Sequence, residues 1–129
     1  MINKYSLKFN GNVNISEHFK VREFACKDGS DMILVDTTLI CILENVRKMI
    51  KAPINIVSGY RNVNYNTRIN GAKDSFHTKG QACDIKSSCD LETLAIASAM
   101  CGARGVGVYH KSGFVHIDTR DNPNIFKGD

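Results

Sequence analysis

The chain has 129 residues, one domain's length, with 43% apolar and 23% charged residues, which excludes a disordered, collagen-like or low-complexity polymer. Lys and Arg number 17 against 13 Asp and Glu, a formal charge of +4. That favours weak attraction to a polyanion, but the basic residues are scattered, which argues against specific nucleic-acid binding. Apolar runs are only a few residues long, too short to cross a bilayer, so no membrane insertion is expected.

Residues Met1 to Phe9 are interrupted by Lys and Asn and lack the apolar stretch of a signal peptide, so the chain is expected to stay in the compartment where it is made. The segment through about Ser30 is polar and Asn-rich, with a short amphipathic stretch, Ser16 to Cys26, in which Phe19 and Phe24 can anchor on a core. His18 within it reads as a surface residue. Asp36 or Thr37 can cap a helix carrying Leu39, Ile42, Leu43, Val46 and Ile50 at three- and four-residue spacing, and Pro53 follows its end. Ile54 to Gly59 alternates apolar and polar residues as a half-buried strand does, and Ala82 to Lys86 reads as a second strand. Asp90 caps another helix through Cys101, with Gly102 just past its end. Gly105–Tyr109 and Phe114–Asp118 are strand-like runs whose short link, His110 to Gly113, suits a hairpin. The expected fold is α+β: two main helices around a small, largely antiparallel sheet, in one domain spanning residues 1–129.

Five cysteines without a CxxC pair point to reduced thiols rather than a disulfide framework. Cys41 and Cys101 fall in apolar helical patterns, where free cysteine packs as a small hydrophobe. Cys83, next to Asp84 on a strand, is expected to face the core.

The chemistry gathers in residues 58–84, a polar stretch dense in Gly, Asn and Ser between two strands, and in the last strand-like run. The first holds Arg61, Ser75, His77 and Asp84. The second holds His116 and Asp118, which share one strand face with Phe114 while Val115 and Ile117 point to the other. A hydrolytic zinc site takes three protein ligands, commonly imidazoles and a carboxylate, and leaves a fourth position for water. Gly80, between His77 and Asp84, lets the chain turn back on itself. Spacing alone favours hydrogen-bonded histidines without a metal over a metal site.

Ser58-Gly59-Tyr60-Arg61-Asn62, Asn66, Gly71-Ala72 and the run Ser75 to Ile85 resemble the SGYR…N…GGA…SxHxxGxAxDI pattern of the peptidase M15 family, the zinc D-Ala-D-Ala carboxypeptidase-like enzymes that include phage endolysins. Gly107-Val108-Tyr109 and Ser112 to Arg120 resemble its closing GxGxY…FVHxDxR segment, and Phe19, Glu23-Phe24 and Cys26 resemble the opening of one branch. The resemblance implies the D-Ala-D-Ala carboxypeptidase-like fold and one zinc ion held by His77, Asp84 and His116. It implies Arg61 as the group that stabilises the oxyanion, and Ser75 and Tyr109 as substrate contacts, with a plain turn or capping role for Ser75 standing beside this. Several branches place a catalytic carboxylate three residues before the last histidine, where this chain has Gly113. Asp118 is then the nearest candidate, either as general base or as the group that orients His116, and His110 is a weaker alternative base.

The expected function is zinc-dependent hydrolysis of an amide bond in the peptide stems of bacterial peptidoglycan, by a monomer made without a leader and acting on the wall after release, as a phage lysin does. The rival readings are a non-catalytic metal- or wall-binding module on the same fold and a cytoplasmic D-Ala-D-Ala dipeptidase.

Overall fold

The computed structural model describes residues 1–129. Its seven strands form two sheets. β1 (Ile2–Ser6) and β2 (Met32–Asp36) pair antiparallel, Ile2 opposite Asp36 and Ser6 opposite Met32. The second sheet has five strands, β3 (Asn55–Ser58), β4 (Ala82–Lys86), β5 (Gly105–Tyr109), β6 (Phe114–Asp118) and β7 (Asn124–Lys127), in the spatial order β3-β4-β6-β5-β7. All neighbours in it are antiparallel except β5 and β7.

Four helices accompany the sheets. α2 (Thr37–Ile50) begins where the Asp36 carboxylate accepts the Thr38 amide and ends at Lys51, a left-handed residue. It buries Leu39, Ile40, Ile42, Leu43 and Val46, the stripe that the three- and four-residue spacing predicts. α4 (Leu91–Met100) is capped by Asp90, which accepts the Thr93 amide, and buries Leu94, Ala95, Ala97 and Ser98. The Ser98 hydroxyl is satisfied inside the core by donating to the Leu94 carbonyl at 2.7 Å. α1 (Leu7–Asn10) and α3 (Val63–Arg68) are short.

One face of the five-stranded sheet turns Ile56, Cys83, Ile85, Val106, Val115 and Ile117 into a single apolar core with α2 and α4. Phe19, Val21 and Phe24 close that core from the N-terminal segment, and Ile33 and Val35 add the inner face of β2. Burying each such large side chain is worth about 1.5–3 kcal/mol against leaving it in water, so this layer holds the fold together. Cys83 is fully buried there, as its strand position predicts.

The structure adds elements to the sequence expectation. The β1–β2 pair, α1, α3 and β7 were not expected, and β7 makes the sheet mixed at one edge. Cys41 departs from the expectation of burial. It sits one position off the buried Leu39–Ile42–Leu43–Val46 stripe and is exposed, lining a cleft between α2 and the β1–β2 pair. Cys101 lies just past the end of α4 and is half-buried. His18 is exposed, as expected of a surface residue, and hydrogen-bonded to Glu44 of α2 at 2.6 Å.

Candidate metal centre

Strand register builds the floor of the site. Asp84 of β4 lies directly opposite His116 of β6, His116 opposite Gly107 of β5, and Gly107 opposite Phe126 of β7. On the other side Asp84 pairs with Ser58, next to an irregularity in β3. Ser58, Asp84, His116, Gly107 and Phe126 therefore run in one row across the sheet, on the face away from α2 and α4. Asp118 sits two residues along β6 on the same face, opposite Ala82 and Gly105. Side chains at Gly105 or Gly107 would collide, at the first with the Asp118 carboxylate and at the second with the Phe126 ring. Both glycines make room for the groups above them.

His77 reaches this row from outside the sheet. It lies in a 3-10 turn, Phe76–Lys79, which starts where the Ser75 hydroxyl accepts the His77 amide at 3.2 Å and ends at Gly80 with φ 75°. The Arg61 amide donates to the His77 carbonyl at 3.1 Å, so the turn is tied to the segment that follows β3. Asn66 of α3, 5% exposed, joins the same connection: its amide donates to the Ala72 carbonyl and its oxygen accepts from Arg61.

His77, Asp84 and His116 each offer one ligand atom, and these atoms lie within 4.8 Å of one another. Their protons follow from their partners. The His77 ring lies 2.8 Å from the Gly59 carbonyl, which can only accept, so Nδ1 carries the proton and Nε2 is bare in the neutral ring. The His116 Nε2 lies 2.7 Å from an Asp118 oxygen, which places its proton there and leaves Nδ1 bare. Both bare nitrogens face the same Asp84 oxygen, at 3.3 Å from His77 and 3.1 Å from His116. With neutral rings, three lone pairs meet with no proton between them, in a buried place; a cation relieves that. Ligands about 2.0 Å from a tetrahedral ion stand about 3.3 Å apart, so these separations and this donor set fit a zinc ion.

The surrounding charges are paired. Arg61 gives Nε to Ser58 at 3.2 Å, Nη1 to Asn66 at 3.3 Å and Nη2 to the second Asp84 oxygen at 3.3 Å. Asp118 is fully buried, and both of its oxygens are engaged: one by His116, and the pair by the side chain and backbone amide of Arg120. Burial pushes the Asp84 carboxyl up, but in the metal-free chain with both rings protonated, hydrogen bonds from His116 and His77 and their charge carry it down to about 2. For Asp118 burial again opposes, and the Arg120 and His116 contacts outweigh it and hold the carboxyl far below its ordinary value. Burial would lower His116, yet in the metal-free chain Asp118 and Asp84 both accept from the protonated ring and leave it raised above 6.5.

His77, Asp84, His116 and Arg120 line a cavity of about 570 Å3 with Arg61, Ser75, Tyr109 and Phe114, and Asp118 is buried beneath it. Tyr109 and Phe114 stack with ring centres 4.5 Å apart, and Phe126 meets Tyr109 edge-on. Ser75 caps the turn that carries His77 and also lines the cavity. His110 does not line the cavity; it is exposed and paired with Glu92 of α4. Gly113 sits in the β5–β6 hairpin with φ 78°. Arg120 and Phe126 were not singled out from the sequence. The only cue to Arg120 was its place at the end of the closing FVHxDxR segment, and β7, which carries Phe126, was not expected.

The fold is an α+β domain in which Asp84 and His116 of the sheet meet His77 of a turn beneath a cavity, a cluster that could hold a metal ion. The chain belongs to the peptidase M15 family, whose sequence pattern matches residues 17–118. It is also similar to peptidoglycan L,D-endopeptidase MepK of Escherichia coli K12, with 40% identity over 75 residues, covering 54% of this chain and 41% of that protein. The probable peptidoglycan L,D-endopeptidase MepK of Haemophilus influenzae is 35% identical over 75 residues, covering 53% and 40%. The chain thus spans about two fifths of the length of these curated relatives.

Proposed function

We propose that this chain is a zinc-dependent peptidase domain that hydrolyses an amide bond in the peptide stems of bacterial peptidoglycan, and that an L,D bond, as in the names of its MepK relatives, is the first to test. The observation that carries the reading is the convergence of bare His77 Nε2, bare His116 Nδ1 and an Asp84 oxygen beneath an open cavity.

His77, Asp84 and His116 would hold the ion. Zinc bound there supplies Lewis-acid polarisation of the scissile carbonyl and a more acidic water. The chain's own residues do the rest. The Gly59 carbonyl fixes the His77 ring, and Asp118 fixes the His116 ring by accepting its Nε2 proton. Asp118 is thereby a positioning residue, since its oxygens are already engaged by His116 and Arg120. Arg61, held by Ser58, Asn66 and Asp84, keeps a fixed cation beside the reacting centre, where negative charge develops during attack on a carbonyl. Ser75 and Tyr109 offer hydroxyls on the cavity wall for the peptide backbone.

A second reading, a metal- or wall-binding module without catalysis, is favoured by one observation. Asp84 on the cavity floor is occupied by Arg61 and the histidines, and Asp118, buried beneath the floor, by His116 and Arg120, while Asp74 is exposed at the rim. Incubating the zinc-loaded protein with purified peptidoglycan separates the two. New amino termini, identified by mass spectrometry of the released fragments and lost on chelation, support the peptidase. Stoichiometric zinc with no new termini supports the binding module.

A further inference from the structure

The cavity holds two arginines, and they are bound differently. All three nitrogens of Arg61 are engaged by side chains of the chain. Arg120 grips Asp118 with one edge only: Nε lies 2.9 and 3.1 Å from its two oxygens, and Nη2 lies 2.6 Å from one of them. A guanidinium used side-on in this way keeps its other edge, Nη1 and the outer hydrogen of Nη2, for a second planar acceptor. Nη1 of Arg120 has no partner in the chain, and the residue lines the cavity.

The head group is also fixed in place. It lies 4.9 Å from the Phe76 ring centre and 5.6 Å from that of Phe126. These contacts and the Asp118 grip leave the side chain 19% exposed, so a ligand meeting its free edge finds donors already oriented, with little further ordering cost. The charges agree. Arg61 and Arg120 balance Asp84 on the floor and Asp118 buried beneath it, so a bound divalent cation would leave the site net positive, while Lys73 and Asp74 offset one another at the rim. A carboxylate is the planar anion that the free fork and this balance fit.

We infer that Arg120, through its Nη1 edge, binds a free carboxylate of the substrate peptide close to the scissile bond, while its other edge holds Asp118. This rests on the peptidase reading and names the substrate as an anionic peptide. It divides the two arginines: Arg61 serves the metal carboxylate and the reacting centre, and Arg120 selects the ligand. Arg120 follows the end of β6 and Phe126 lies on β7, so this selection is built by the connection between these strands and by β7.

The test uses a short synthetic stem peptide with one L,D amide bond and a free carboxylate on the adjoining residue, beside the same peptide with that carboxylate amidated. Both are titrated by calorimetry into the metal-free and zinc-loaded protein, and their hydrolysis is followed separately. Wild type is expected to bind the free acid at least tenfold more tightly than the amide, and Arg120→Met is expected to close that gap. Should Arg120→Met fail to fold, the pair Asp118→Asn with Arg120→Met removes the stranded buried charge and is read in the same way. A positioning role alone would weaken both peptides equally and leave the ratio unchanged. Equal binding of the two peptides by wild type, or a gap that survives in the variant, overturns the assignment. Tenfold selectivity without hydrolysis of either peptide leaves Arg120 as the carboxylate site and overturns the peptidase reading instead.

Discussion

The two faces of the five-stranded sheet obey different rules. The face toward α2 and α4 is wholly apolar, with Ile56, Cys83, Ile85, Val106, Val115 and Ile117 packed among Leu39, Leu43 and Leu94. The opposite face, on the same strands and in the same register, carries Asp84, His116 and Asp118, nearly as buried but charged or polar. Alternation along β4 and β6 produces both faces at once. One sheet thus divides its work: the helix-covered face supplies stability, and the other takes paired, hydrogen-bonded ionisable groups whose value lies in what they can bind.

Substitutions on the two faces are expected to fail differently. The largest effect is expected for His116→Ala or His77→Ala, which should each abolish stoichiometric zinc and any peptide hydrolysis while circular dichroism stays that of a folded chain. Metal content by mass spectrometry checks this, and full zinc occupancy in either variant would remove that histidine from the site. On the apolar face, Leu43→Ala is expected to cost about 2–5 kcal/mol in urea unfolding, because Leu43 is fully buried. Zinc stoichiometry in the fraction that stays folded should not change. A loss of zinc parallel to the loss of stability would erase the distinction between the faces.

Asp118→Asn sharpens the comparison within the site. If Asp118 acts by orienting His116, the expected change is a zinc affinity lower by roughly 10–100-fold, read by competition with a chelator. Unchanged affinity together with a collapse in kcat would make Asp118 the general base. The smallest effect is that of acid on the metal-free protein. The Asp84 carboxyl is lowered in the folded chain to about 2 from 3.8, and Asp118 is lowered too. The stability they contribute is therefore present above the ordinary carboxylate range and lost as pH falls through their folded values. Thermal melts of the metal-free protein should drop between about pH 4 and pH 2, by roughly 2 kcal/mol for Asp84. His116, raised above 6.5, has the opposite sign: its contribution is complete below that value and is lost as pH rises through the folded pKa. A melt that is flat across the acid range would show that these carboxylates are not held as described.

The elements legible in the sequence were those with a local pattern. α2 and α4 follow from spacing and Asp caps, and β5 and β6 from two alternating runs around a short link. β1, β2 and β7 escaped because their order comes from partners far along the chain: Ile2 pairs with Asp36, and Asn124 with Gly105. A strand such as Asn124–Lys127, mostly exposed, has too little apolar alternation to announce itself. In the site, His116 and Asp118 were visible as polar residues where a core pattern would have apolar ones, whereas His77 and Asp84 stood out through the resemblance of their segment to the family pattern. The Gly59 carbonyl that sets the His77 tautomer is backbone and leaves no side-chain signal. Arg120 was legible only as part of a motif, because its importance depends on which edge of the guanidinium is already used.

The most direct test of a zinc ion held on the polar face is X-ray absorption at the zinc edge of the loaded protein. The structure predicts a first shell of nitrogen and oxygen near 2.0–2.1 Å, with the multiple-scattering signature of two imidazoles and no sulfur. A shell containing sulfur near 2.3 Å would place the metal on the cysteines instead and contradict the account.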